Sequence, residues 1–187
     1  MYSIANRLPF RLKKQIISYF LKKNNINFNG IPKITGHWPN IENYGEMTIG
    51  VNCTFQSFRL PLSFTVFQNA KLEIGHVSGF NDGVNLCAKQ YIKIGNDVKV
   101  GDMTYIYDTS FHQVSPIAPM KCKAVIIGNN VWIGAKSMIL AGSVIGDHSV
   151  VAAGSIVTGE IPPKSMVAGA PAKVIKTLDI PDDWVRD

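Results

Sequence analysis

The chain has 187 residues, with 19 Lys and Arg against 13 Asp and Glu, for a formal net charge of +6. Seven of the basic residues (Arg7, Arg11, Lys13, Lys14, Lys22, Lys23 and Lys33) fall in residues 1–33, which hold no acid, so the other 154 residues carry 12 basic against 13 acidic side chains. That division argues against a nucleic-acid coat, which needs its cations on the binding domain itself, and no apolar run approaches the roughly 18 residues of a membrane span.

Residues 7–23 repeat at helical spacing. Leu8, Leu12, Ile16, Tyr19 and Phe20 share one stripe, and Arg7, Arg11, Lys14, Ser18 and Lys22 another. Pro9 suits a first turn, and Asn24-Asn25 suits a stop. Residues 26–45, with Gly30, Pro32, Gly36 and Pro39, read as a connector. Residues 1–45 are therefore expected to form a basic amphipathic helix plus linker, residues 46–170 the main domain, and residues 171–187 a tail.

The main domain repeats every six residues. Ile127, Ile133, Ile139, Ile145, Val151 and Val157 are all branched aliphatics, and two positions before each stands Val125, Val131, Ser137, Ser143, Ser149 or Ser155. A period of six fits neither a helix nor a simple strand. It fits short strands joined by tight corners, such as Gly128-Asn129-Asn130 and Gly146-Asp147-His148, whose residue types tolerate positive φ. The register extends back through Ile94, Val100 and Ile106, then Ile74, Phe80 and Leu86, then Ile49 and Phe55. The step from Leu86 to Ile94 is eight, a two-residue insertion. The step from Ile106 to Ile127 is 21, so an excursion leaves the coil over residues 107–126. The expected fold is mainly β, a parallel β-helix filled by stacked aliphatics. Cys53, Cys87 and Cys122 form no CxxC or His/Cys cluster and read as reduced thiols of a cytoplasmic protein, with no metal expected. The N-terminus lacks the apolar stretch of a secretory signal.

Residues 94–176 resemble the hexapeptide-repeat acyltransferases, the O-acetyltransferases of sugars. The resemblance rests on Val131-Trp132-Ile133-Gly134-Ala135, on Ala153-Gly154-Ser155-Ile156-Val157-Thr158 followed by Ile161-Pro162-Pro163, and on Val167-Ala168-Gly169-Ala170-Pro171-Ala172-Lys173-Val174-Ile175-Lys176. It implies a left-handed β-helix, a hand that the period alone does not reveal, and a homotrimer with acetyl-CoA bound between neighbouring prisms.

Acetyl transfer to a hydroxyl needs a base, donors for the oxyanion and a site for a long phosphate-bearing donor. His112, inside the excursion, has the pKa for the task, and the family places its base in the corresponding loop. Asp108 either orients that imidazole, binds the acceptor hydroxyls, or is a turn residue at the loop entrance. Asn85 is the candidate acceptor contact. Trp132 resembles the family tryptophan beside the pantetheine arm. Ala135, Ala153 and Thr158 correspond to further donor contacts, and Lys173 and Lys176 to cations near the nucleotide phosphates, where lysine lacks the arginine fork. Gly159-Glu160 stands where relatives often carry lysine, so the resemblance does not extend to that phosphate contact. His37, His76 and His148 read as corner or linker residues. No Gly-x-Ser-x-Gly or Cys/His pairing suggests an acyl-enzyme, so direct attack is expected.

Two other functions remain open at this level: an antibiotic O-acetyltransferase, and a non-catalytic β-helix scaffold. The basic helix either caps the prism, as solenoid ends require, or lies on an anionic membrane. A nucleic-acid partner is not expected.

Overall fold

The structure, a computed structural model, describes residues 9–186. Arg7 and Leu8 of the predicted helix lie outside the described residues. The helix α1 spans Phe10–Lys23, with Pro9 at its N-cap. Asn24 stops it as expected: its N–H and its side-chain amide both donate to Phe20 O, and Asn25 follows at φ 53°.

The buried face of α1 differs from the predicted stripe. Ile17 and Leu21 enter the core, and Phe20 packs on Trp38 at 4.9 Å between ring centroids, whereas Leu12 and Tyr19 are exposed. Both faces of this helix carry apolar residues, and the choice is made by the coil it covers. Its neighbours there include Ile26, Ile34 and Met47. α1 therefore caps the first coil.

The chain then winds as a prism with three faces. The first face holds Ile26–Phe28, Glu46–Ile49, Lys71–Ile74, Tyr91–Ile94, Val125–Ile127, Val144–Ile145 and Glu160–Ile161. The second holds Lys33–Gly36, Thr54–Ser57, Gly79–Phe80, Lys99–Val100, Trp132–Ile133, Val150–Val151 and Ser165–Gly169. The third holds Asn40–Asn43, Ser63–Val66, Asn85–Ala88, Tyr105–Tyr107, Met138–Ile139 and Ile156–Val157. Each strand pairs in parallel with the strand one coil away, in register.

Two boundaries move. Residues 26–43 are the first coil, not a linker, because corners call for the same Gly and Pro residues that linkers use. Gly36, at φ +85°, shows the demand: a Cβ there would lie 2.0 Å from Ser57 O. In the tail, Ala172–Thr177 folds back antiparallel on Ser165–Gly169 and extends the second face.

The six-residue ladder is the core. Ile127, Ile133, Ile139, Ile145, Val151 and Val157 are buried, as are Ile49, Phe55, Ile74, Phe80, Leu86, Ile94, Val100 and Ile106. Phe55, Phe64 and Phe80 meet edge to face at 5.4–6.0 Å. Buried Ser137, Ser143 and Ser149 return their hydroxyls to carbonyls at 2.6–3.0 Å, so the small polar column costs no unsatisfied group at these three positions.

Corner chemistry is divided differently from the expectation. The left-handed residue is the third of each triplet, Asn130 (φ 53°) and His148 (φ 61°). The leading glycine is needed for space: a Cβ on Gly128 would lie 2.2 Å from Asp147 Oδ1.

Candidate active site

The three edges of the prism differ in what satisfies their backbone. Where the first face meets the second, a ladder of side chains caps the corner amides. Val51 N–H donates to His76 Nδ1 (3.0 Å), His76 N–H to Asn96 Oδ1 (2.8 Å), Asn96 N–H to Asn129 Oδ1 (2.9 Å), and Asn129 N–H to Asp147 Oδ1 (2.6 Å). This is a structural use of His76, at the corner where the sequence set it.

The edge between the second and third faces carries Ala135 and Ala153 at the equivalent positions, and alanine has no acceptor. In the first ladder each side chain caps the amide one coil earlier, so Ala153 leaves the Ala135 N–H uncapped, and neither Ala135 N–H nor Ala153 N–H makes a hydrogen bond among the described residues. Gly154 N–H donates to Ala135 O at 2.9 Å, tying the two corners together, and nothing lies within 4 Å of where a Gly154 Cβ would be. The result is a column of small residues with free amides, one coil step apart at about 4.8 Å. Trp132 stands beside it on the outer second face, 47% exposed.

Trp132 has a neighbour that sequence reasoning missed. The C-terminal tail returns over the second face, held by Asn130, which receives Arg186 N–H at 2.9 Å and donates to Trp184 O at 2.7 Å. The Arg186 guanidinium then lies 4.8 Å from the Trp184 ring centroid and 5.9 Å from that of Trp132. Its Nε and Nη2 are shielded and without a hydrogen-bond partner among the described residues, and burial lowers its pKa. No spacing pattern in the tail marks Arg186. Lys176 extends the outward column Trp132, Val150, Met166 on the second face, and Lys173 lies opposite Ala168. Both lysines are exposed. Thr158 stands apart from this group, following Ile156–Val157 on the edge between the third and first faces.

The excursion springs from that last edge. Its base is zipped by a bridge between Thr109 and Cys122, by Ser110 N–H to Lys121 O (2.9 Å), and by Lys123 N–H to Asp108 O (2.9 Å). The Asp108 side chain is fully buried. Oδ1 accepts Lys89 N–H, and Oδ2 accepts the N–H groups of Gln90 and Tyr91, all at 2.7 Å. Lys89 and Gln90 are the two-residue insertion seen between Leu86 and Ile94. Asp108 thus fastens the loop base to the bulge of the preceding coil, and no hydrogen bond joins it to the His112 imidazole.

His112 is exposed, and its ring makes no hydrogen bond among the described residues; its backbone N–H donates to Ser110 O (2.7 Å). The adjacent Phe111 ring packs on Tyr107 at 5.6 Å, and Tyr107 on Tyr105 at 5.7 Å. Asn85, partly exposed, pairs in register with Tyr105 on the same outer third face. His112, Tyr105 and Asn85 therefore border one surface. Val114 (91% exposed) and Ile117 (95%) leave an apolar tip further along the loop.

The thiols are poor nucleophiles. Burial raises Cys53 and Cys122 and, with the Asp108 charge, pushes Cys87 up to about 11. Among the described residues no group of His, Cys, Asp and Glu could hold a metal, and no helix is long and apolar enough to cross a membrane.

Residues 124–159 match the family model for the bacterial transferase hexapeptide (six repeats). WbbJ of Escherichia coli (strain K12), provisionally named as a lipopolysaccharide biosynthesis O-acetyl transferase, is 30% identical over 148 residues, which is 73% of this chain and 74% of that protein. The galactoside O-acetyltransferase of the same strain is 32% identical over 135 residues, 71% of this chain and 64% of that protein. Among solved structures, a galactoside acetyltransferase in complex with coenzyme A superposes with TM-score 0.58 at 30% identity, covering 72% of each chain. A hexapeptide-repeat acetyltransferase from Vibrio cholerae complexed with acetyl-CoA gives 0.60 at 25% identity, covering 89% of this chain and 79% of that one. The winding prism, its six-residue ladder and this likeness identify the chain as a member of the left-handed β-helix, hexapeptide-repeat acetyltransferase family.

Proposed function

We propose that the protein is an acetyl-CoA-dependent O-acetyltransferase that acts on a sugar hydroxyl in the synthesis of a surface polysaccharide or related glycan. The observation that carries this reading is the row of uncapped amides at Ala135 and Ala153. The pantetheine arm has two amide carbonyls able to accept from such N–H groups, and small side chains let it approach. Trp132 flanks the arm, and Arg186, Lys173 and Lys176 supply cations for the nucleotide phosphates. Thr158 would reach the donor of an adjoining copy.

One prism does not complete the site. His112 springs from the edge between the third and first faces, whereas the free amides line the edge between the second and third. A homotrimer, the closed assembly in which each edge meets a different edge of its neighbour, brings the two together and covers Val114 and Ile117. In the ternary complex a nitrogen of the His112 imidazole takes the acceptor hydroxyl proton as the oxygen attacks the thioester carbonyl. The tetrahedral intermediate collapses, the C–S bond breaks, and the imidazolium returns the proton to the departing CoA sulfur. Asn85 and Tyr105 contact the acceptor. Asp108 is a positioning residue that holds the loop base. A cytoplasmic setting fits the three free thiols.

The test is release of CoA thiol from acetyl-CoA across a panel of sugar acceptors, by wild type and His112→Ala. Loss of about 100-fold or more in kcat, with acetyl-CoA binding intact, is expected. Activity in the alanine variant within a few fold of wild type would refute the assignment.

A further inference from the structure

α1 buries one side against the first coil, and its remaining surface forms two adjoining grooves. One, of about 470 Å³, lies between α1 and the 31–34 segment, with Lys13, Lys14 and Lys33 around an apolar floor of Ile17, Ile31 and Ile34. The other, of about 390 Å³, shares Lys14 and Ile31 and adds Lys22 and Tyr19. Among the described residues four lysines line the pair and no carboxylate does. Lys22 and Lys23 also occupy the last turn of α1, and Leu12 and Tyr19 are exposed between the cations.

Capping accounts for Ile17, Leu21 and Phe20. It does not account for this concentration of positive charge on the outer side, when the rest of the chain is nearly neutral. Lysines over a shallow apolar floor, with aromatic and aliphatic side chains interspersed, match the chemistry of a phospholipid surface. There, phosphates meet the ammonium groups and the upper acyl chain meets Leu12, Tyr19 and Ile31. A nucleic acid would use the charge and leave exposed Leu12 and Tyr19 and half-buried Ile31 idle.

We propose that the α1 end of the prism is a docking surface for an anionic lipid bilayer. α1 lies flat in the headgroup region while its inner side keeps the cap. In the trimer three such ends face the same way, so weak single contacts combine. The coil bearing Tyr105–Tyr107 is three coils above the first, roughly 14 Å at the usual strand spacing. Docking would therefore hold the His112 loop a few sugar units above the membrane, where a lipid-borne glycan presents its hydroxyls. That consequence rests on the acetyl-transfer reading; the docking itself does not.

The test is sedimentation of the full-length protein with phosphatidylcholine vesicles and with vesicles containing 30% phosphatidylglycerol, at low and high salt. Binding to the anionic vesicles only, weakened by salt, is expected. Lys22→Gln/Lys33→Gln should reduce the partition coefficient at least about 25-fold, and adding Lys23→Gln at least about 100-fold, from roughly fivefold per charge on a single docked copy, with melting temperature and CoA thiol release on a free sugar unchanged. Equal binding to neutral vesicles, or no change in the variants, overturns the proposal. So does binding to RNA without binding to vesicles. Displacement from vesicles by 1 mM pyrophosphate but not by chloride of matched ionic strength would show a discrete phosphate site and also overturn it. Vesicle binding without acetyl transfer would leave docking standing and remove the enzymatic reading; the converse would do the reverse.

Discussion

Removing the Asp108 carboxylate should loosen the excursion and destabilise the fold around it. Three N–H donors, those of Lys89, Gln90 and Tyr91, converge on one fully buried side chain at 2.7 Å each. Asp108→Ala orphans all three, at roughly 1–3 kcal/mol each where water cannot substitute. Gln90 is exposed and water can reach its amide, so the total is about 3–5 kcal/mol. For a chain of this size that corresponds to a fall in Tm of roughly 10 °C. Asp108→Asn keeps one oxygen, which can hold the Gln90 and Tyr91 amides, and sets an NH2 against Lys89 N–H, so about 1–3 kcal/mol is expected. Calorimetry gives the Tm, and amide exchange locates the change, with faster exchange at residues 89–91 and across the loop base at Ser110 and Lys123. A Tm shift below about 2 °C in the alanine variant, or unchanged exchange at these amides, would refute the reasoning.

Ala153→Pro removes only an N–H that has no partner among the described residues, at the first central position of a corner whose second residue, Gly154, has φ +71°. Proline suits that position, and Pro163 already precedes left-handed Lys164 in the same way. Stability should hold within about 1 kcal/mol while KM for acetyl-CoA rises roughly 3–10-fold; steady-state kinetics and a thermal melt check both. A pH series tests the buried thiols. Cys87 is held up to about 11 by burial and the Asp108 charge, above its unfolded value, so its neutral form stabilises the fold fully below about pH 8.5 and that contribution is lost as pH rises through 11. Urea titrations at pH 9 and 11 should show a decline on the order of 2 kcal/mol from this group. The decline should be smaller in Cys87→Ala, though not absent, because Cys53 shifts in the same direction.

The aliphatic ladder was legible because inward side chains recur at a fixed step and every one of them is buried. The first coil was not, since Lys33–Gly36 and Asn40–Asn43 are four-residue strands between Gly and Pro corners and resemble a linker at the level of composition. The face of α1 was missed because apolar residues occupy both sides and only the covered coil selects Ile17 and Leu21. His112 stood out as a histidine inside the period break. The partners of Asp108 did not, because they lie 17–19 residues earlier, one coil away. A readable signal was passed over at the edges. Aligning corners by the six-residue step sets Asn96, Asn129 and Asp147 on one edge against Ala135 and Ala153 on another, which marks where amides lose their caps. Nothing comparable announces Arg186, whose place depends on a tail turning back to Asn130.

Subunit complementation tests the central claim most directly, that each site joins His112 of one copy to the donor edge of the next. His112→Ala lacks the base, and Ala153→Trp fills the donor edge; each alone should be inactive. Unfolded together in equal amounts and reassembled, random trimers should regain about a quarter of wild-type CoA thiol release, because each interface draws its base and its donor edge from different copies. Activity no greater than that of either parent would place both parts within one chain and contradict the assembled site.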